Sequence, residues 1–170
     1  SYYSLILEEN TLMFKWEKEG KIKLPDEELE RNMYYMGKEI LEKNDYNHYE
    51  ISNFAKYNYE SKHNSVYWKL QPYIGFGVAS HSNLNNKRFW NYDSLNKYYN
   101  SIASGEFPIS GEEYIDREME IAEYLIMGLR LIDGIDKNKF FNRFNIEVEE
   151  IYGSILKKHE GSGLLHIDKN

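Results

Sequence analysis

Tyr49-Glu50-Ile51-Ser52-Asn53-Phe54-Ala55-Lys56 is the stretch on which the fold turns. Its first four residues alternate as a short strand does, and the polar residues that follow read as the strand's carboxyl end. There Glu50, Ser52 and Asn53 could hydrogen-bond a ligand, or simply form a solvated loop. Upstream, Pro25-Asp26-Glu27-Glu28 starts a helix, with acids where the helix dipole favours them. Leu29, Met33, Met36, Ile40 and Leu41 hold a helical period, which predicts one inward-packed face, and Asn44-Asp45 ends it. Residues 2–8 read as a further strand running into the polar turn Glu8-Glu9-Asn10-Thr11. Strand, helix, strand is a βαβ unit, which predicts parallel strands and an α/β class.

Downstream, residues 53–72 show no period and read as a long loop or irregular crossover. Tyr73-Ile74-Gly75-Phe76-Gly77-Val78 is a strand candidate opening into Ala79-Ser80-His81-Ser82, and Phe89-Trp90-Asn91-Tyr92 another short extended piece. After Asp93, read as an N-cap, the chain turns mainly helical. Leu95, Tyr99 and Ile102 mark one helix, stopped at Gly105 and Pro108. Ile115, Met119, Ala122, Leu125, Ile126 and Leu129 mark a longer one. Phe140, Phe141 and Phe144 mark a third, and Ile151, Ile155 and Leu156 a fourth. Leu164-Leu165-His166-Ile167 reads as a last strand. The acidic pairs Glu27-Glu28 and Glu112-Glu113 read as solvated helix starts. A composition shift near residues 105–112 sets the one domain boundary, giving units 1–108 and 109–170. Three helices and a strand in the second predict a winged-helix-like unit that stops before its wing closes. Its third helix, opening Glu147-Val148-Glu149-Glu150, is too acidic for a major groove.

Composition narrows the functions. The 170 residues carry a formal charge of -7, the wrong sign for a nucleic-acid footprint. Hydrophobic content of 41 % supports a core, and no apolar run nears the roughly 20 residues that span a bilayer. The first residues lack a signal peptide's basic start, so cytoplasm is the expected compartment. Zero cysteines exclude disulfides, thiolate zinc sites and any iron–sulfur cluster held by these residues. Sixteen tyrosines suit flat-ligand pockets, or reflect compositional drift. The sequence holds no G-x-S-x-G elbow, H-E-x-x-H helix or P-loop.

Two further segments could carry chemistry. His63-Asn64-Ser65-Val66-Tyr67-Trp68 joins an imidazole, an amide and two aromatics within six residues, so it could ligate a metal and stack on a planar ligand. It reads equally as a loop plugged inward by Tyr67 and Trp68, with His63 merely hydrogen-bonded. In Gly75-Phe76-Gly77-Val78-Ala79-Ser80-His81-Ser82 the glycines permit close backbone approach to a ligand, or only a tight turn.

Taken in order, Y-E-I-S-N-F-A-K, H-N-S-V-Y-W and Y-I-G-F-G-V-A-S-H-S resemble the radical S-adenosylmethionine family of oxygen-independent coproporphyrinogen III oxidase. The likeness extends over nearly the whole chain, with residues 112–170 similar to the family's carboxy-terminal helical domain. It implies an α/β plus all-α fold: the last strands and helices of a partial (β/α) radical-SAM barrel, then the helical unit. The H-N-x-x-Y-W pattern resembles the haem-chaperone branch, which implies haem as ligand and haem proteins as recipients. Carried onto this sequence, it implies haem contacts by His63, Asn64, Tyr67 and Trp68, with His63 as axial ligand. Gly75, Gly77 and His81, with Glu50, Ser52 and Asn53, fall on the cofactor and substrate side; Ala79-Ser80 stands where Gly-Ala is more usual. Two other readings stay open: part of an enzyme converting coproporphyrinogen III to protoporphyrinogen IX by oxidative decarboxylation, and an inactive scaffold. The family's [4Fe-4S] motif and main S-adenosylmethionine contacts are not in these residues, so the chain alone is expected to be inactive as an oxidoreductase. A missing barrel half predicts uncovered strand edges and self-association.

Overall fold

The computed structural model describes residues 1–168. They fall into two compact units, the first made of Ser1–Trp68 with Arg130–Asp133, the second of Lys69–Leu129 and the described residues from Gly134 onward.

In the first unit, α1 (Leu12–Lys18) begins at Thr11, whose hydroxyl accepts the Phe14 N–H at 3.2 Å. Helix α2 (Glu27–Glu42) starts where the sequence predicts, Asp26 capping the Leu29 N–H at 2.9 Å. The apolar stripe predicted to pack inward does not. Leu29, Met33, Met36 and Ile40 are exposed, and the covered row is Tyr34, Gly37 and Leu41. Tyr2 causes this: its ring lies where a Cβ on Gly37 would sit, stacks on Tyr34, and its hydroxyl donates to the Met33 carbonyl at 2.8 Å.

Strands β1 (Asn47–Glu50) and β2 (Asn53–Ala55) form an antiparallel hairpin with a register shift between His48 and Glu50. The parallel βαβ expectation is therefore corrected, every pairing among the described residues being antiparallel. Residues 2–8 are not a strand, since only Tyr2 donates a backbone bond, to Ser52 at 2.7 Å, and one bond is no ladder. Residues 130–133 run antiparallel to β1, Ile51 donating to the Arg130 carbonyl at 3.0 Å and Ile132 to that of Tyr49 at 3.1 Å. The predicted loop at 53–72 instead holds β2 and a helix, α3 (Lys62–Trp68).

The second unit has an antiparallel sheet of β3 (His81–Leu84), β4 (Lys87–Asn91) and β5 (Ile109–Tyr114). Asn85 and Asn86, with φ of 55° and 58°, make the tight β3–β4 turn that asparagine tolerates. The strand predicted at 73–78 reduces to one bridge between Tyr73 and Asn83. Glu112 and Glu113 lie on β5 and not at a helix start; they pair with Lys87 and Arg88 across the sheet. Helix α4 (Leu95–Ala103) follows Ser94, one residue beyond the predicted cap.

Helices α5 (Arg117–Gly128), α6 (Lys137–Phe144) and α7 (Val148–Gly161) match the predicted periods. Ile121, Phe140, Phe144 and Val148 form their core. The strand predicted at 164–167 is absent, so the winged-helix description is not carried by the described residues.

Two carboxylates tie this helical unit to pH. Asp136 caps α6 through the Lys139 N–H at 3.0 Å, which lowers its pKa, and a hydrogen bond from Lys137 lowers that of Glu149 against the opposing effect of burial. Both pKa values are depressed on folding, so their stabilisation is present above the ordinary carboxylate range and is lost as pH falls through the folded values. Melting temperature should thus drop between about pH 6 and pH 3. The drop should be smaller in an Asp136→Asn/Glu149→Gln double variant; an equal drop in both proteins contradicts this assignment.

Candidate functional site

Helix α3 owes its place to Ser61 and Tyr49. The Ser61 hydroxyl accepts the Asn64 N–H at 3.2 Å, its carbonyl accepts from Ser65, and its own N–H donates to the Tyr49 hydroxyl at 3.3 Å. The helix then carries two rows, because residues four apart share a face. One is His63 and Tyr67. His63 is exposed, its Nε2 is 3.0 Å from the Tyr67 hydroxyl, and the rings meet edge-on at 5.0 Å. The other is Asn64 and Trp68, both half-buried. The Trp68 Nε1 is sealed from solvent without a hydrogen-bond partner, and the Arg130 guanidinium lies 4.3 Å from its ring centre.

The hairpin residues point to support of this scaffold. Glu50 is 0 % exposed; its Oε1 accepts from the Asn53 amide, and its Oε2 has no partner. The Asn53 side-chain Oδ1 accepts from the Ser1 hydroxyl, and the Ser52 backbone carbonyl from the Tyr2 N–H. Tyr34 donates to the Ile51 carbonyl at 2.9 Å, and burial, then Tyr35 and Glu50, raise its phenol pKa.

Gly75, Gly77 and His81 belong to the second unit. The Gly75 N–H donates to Ser82 Oγ at 3.0 Å, and a Cβ on Gly75 would come within 2.2 Å of the His81 carbonyl oxygen. Gly77 adopts φ +102°, the left-handed region glycine favours. The turn is clamped by Asn91, whose amide donates to the Gly77 carbonyl at 2.9 Å and to Ser80 Oγ at 3.0 Å. His81 is exposed and stacks on Trp90 at 5.8 Å, and Trp90 in turn lies over Gly111.

The sequence-predicted residues thus divide: His63, Asn64, Tyr67, Trp68, Glu50, Ser52 and Asn53 in the first unit, Gly75, Gly77 and His81 in the second. Reading the sequence missed Arg130 and Asn91. Arg130 does leave a signal, a lone cation in the apolar run Leu125-Ile126-Met127-Gly128-Leu129-Arg130-Leu131-Ile132. Asn91, inside a strand, leaves none. Among the described residues no three His, Cys, Asp or Glu side chains gather to hold a metal ion. A metal taken by His63 must therefore bring most of its own ligands.

Residues 115–170 match the HemN C-terminal domain family. The chain is 34% identical over 166 residues to a Bacillus subtilis protein named "Heme chaperone HemW", covering 98% of this chain and 44% of that protein. To the protein of the same name from Lactococcus lactis it is 36% identical over 167 residues, again 98% and 44%. The chain thus spans less than half the length of these relatives. Its backbone is similar to Escherichia coli coproporphyrinogen III oxidase (HemN), a radical SAM enzyme, with TM-score 0.67 at 16% identity over 94% of this chain and 41% of that one. The HemN C-terminal domain family thus matches its last third, and the likeness to HemW proteins runs along nearly all of its length.

Proposed function

We propose that this chain is the haem-contacting part of a haem chaperone that delivers haem to recipient proteins in the cytoplasm. The observation that supports it is helix α3, where an exposed imidazole is held by Tyr67 beside Trp68. A lone exposed imidazole is a poor site for a bare cation. It suits a metal that arrives with four ring nitrogens and leaves axial positions open, as in haem. Ligation exchanges the Tyr67 hydrogen bond for the iron, while the aromatic rings offer stacking surface. On this reading His63 is the axial ligand and Asn64, Tyr67 and Trp68 line the ligand. Glu50, Ser52 and Asn53 serve the ligand side of the first unit on this reading, and Gly75, Gly77 and His81 that of the second. Residues 1–108 are then part of a radical SAM barrel and 109–170 its helical domain.

The [4Fe-4S] cluster and S-adenosylmethionine belong to the family's chemistry. This sequence has no cysteine, so it offers the cluster no thiolate. Coproporphyrinogen oxidation gains no separate observation, because likeness to HemN at 16% identity shows fold alone.

The test is titration of ferric haem into the full chain, followed at the Soret band. Saturable binding is expected, and its absence rejects the reading. Exposed Leu29, Met33, Met36 and Ile40 on α2 lead us to expect self-association as well. Sedimentation velocity should show species heavier than the monomer, and a clean monomer contradicts this.

A further inference from the structure

We propose that Arg130 is the carboxylate-binding residue of the α3 site, receiving an acidic side arm of the bound tetrapyrrole. This rests on the reading of α3 as a haem site and adds the group that recognises the ligand's charge.

The chain has 28 acids against 21 lysines and arginines, so a half-buried cation should find a carboxylate easily. Half-buried Arg88 is bonded to Glu113 and Glu123, and even the exposed Arg143 is bonded to Glu120. Arg130 differs: among the described residues no carboxylate pairs with it, and its Nε is buried with no acceptor. Leaving a buried charged donor unsatisfied is costly, and an acceptor brought to the guanidinium offsets that cost.

Its surroundings say which partner. The guanidinium lies over the Trp68 indole at 4.3 Å, a cation–π contact. A guanidinium also matches a carboxylate in a two-point fork. The paired strand of residues 130–132 fixes the backbone, through Ile51 to Arg130 and Ile132 to Tyr49. Trp68 is five residues beyond His63 on α3, about 7.5 Å along the helix axis. Haem carries its carboxylates at the rim of the macrocycle, away from the iron. A ligand anchored by iron at His63 carries its acidic edge away from that histidine, and Trp68 with Arg130 lies at the carboxyl end of the same helix.

The test compares ferric haem with haem dimethyl ester, in which both carboxylates are masked, on wild-type, Arg130→Lys and Arg130→Ala chains. Wild type should bind the diester about tenfold or more weakly than haem, the scale of one charge-assisted hydrogen bond. Arg130→Ala should bind haem as wild type binds the diester, with no further loss for the diester itself. Arg130→Lys should recover part of the preference. Equal wild-type affinity for haem and diester overturns the proposal without touching the haem reading. So does an Arg130→Ala loss that is the same for both ligands, which would mark a structural role through Trp68. Should Arg130→Ala fail to fold, the wild-type and Arg130→Lys comparisons decide. No Soret change with either ligand in wild type removes the haem reading and this one together.

Discussion

Phe140→Ala should cost about 3–5 kcal/mol of stability, the range for truncating a fully buried aromatic. Phe140 is 0 % exposed and sits where α5, α6 and α7 meet. Its ring centre is 4.9 Å from that of Phe144 and 5.8 Å from that of Tyr124, so truncation empties the middle of an aromatic cluster. Few buried residues surround it, Ile121, Phe144 and Val148, and so small a core has little capacity to refill the space. Phe141→Ala is the control, since its side chain is 40% exposed on the same helix. Urea unfolding followed by circular dichroism should show a large loss for Phe140→Ala and at most a small one for Phe141→Ala. Equal effects would mean that Phe140 is not the keystone of that core.

Gly75→Ala should be the second most damaging change, at about 1–3 kcal/mol, as for other forced overpacking. The added methyl would meet the His81 backbone oxygen at 2.2 Å, and backbone cannot rotate aside as a side chain can. The shift would spread to the Gly75 N–H to Ser82 Oγ bond and to the paired Tyr73 and Asn83. Gly111 gives a useful contrast, because there the clash is with the Trp90 ring, which can move. Gly111→Ala should therefore cost less, and thermal melts of the two variants read the difference directly. A Gly75→Ala protein that melts like wild type would show that the 73–83 segment is looser than its hydrogen bonds indicate.

The helical period around Phe140 was legible because two of its three phenylalanines, Phe140 and Phe144, are buried, with Phe141 left outside. On α2 the same logic misled: the apolar stripe is exposed, and a tyrosine–glycine–leucine row takes the contact with Tyr2. The pattern of β1 was read as a strand, but alternation carries no direction, so an antiparallel hairpin and a parallel pair look alike. Strand β5, Ile-Ser-Gly-Glu-Glu-Tyr, breaks alternation at Gly111, and that glycine exists to seat Trp90. Helix α3 hid for another reason, since its rows are His63/Tyr67 and Asn64/Trp68 and show no apolar period. The candidate residues were nevertheless found, through their types and order. Arg130 was not, because its partner Trp68 is 62 positions away in sequence and only the fold brings them together.

If His63 on α3 is the haem ligand, its removal should abolish the haem spectrum. Ferric haem is titrated into wild-type and His63→Ala chains, both confirmed folded by circular dichroism. Wild type should give a saturable Soret band that is lost, or strongly shifted and weakened, in His63→Ala. An unchanged band and affinity in His63→Ala would contradict it.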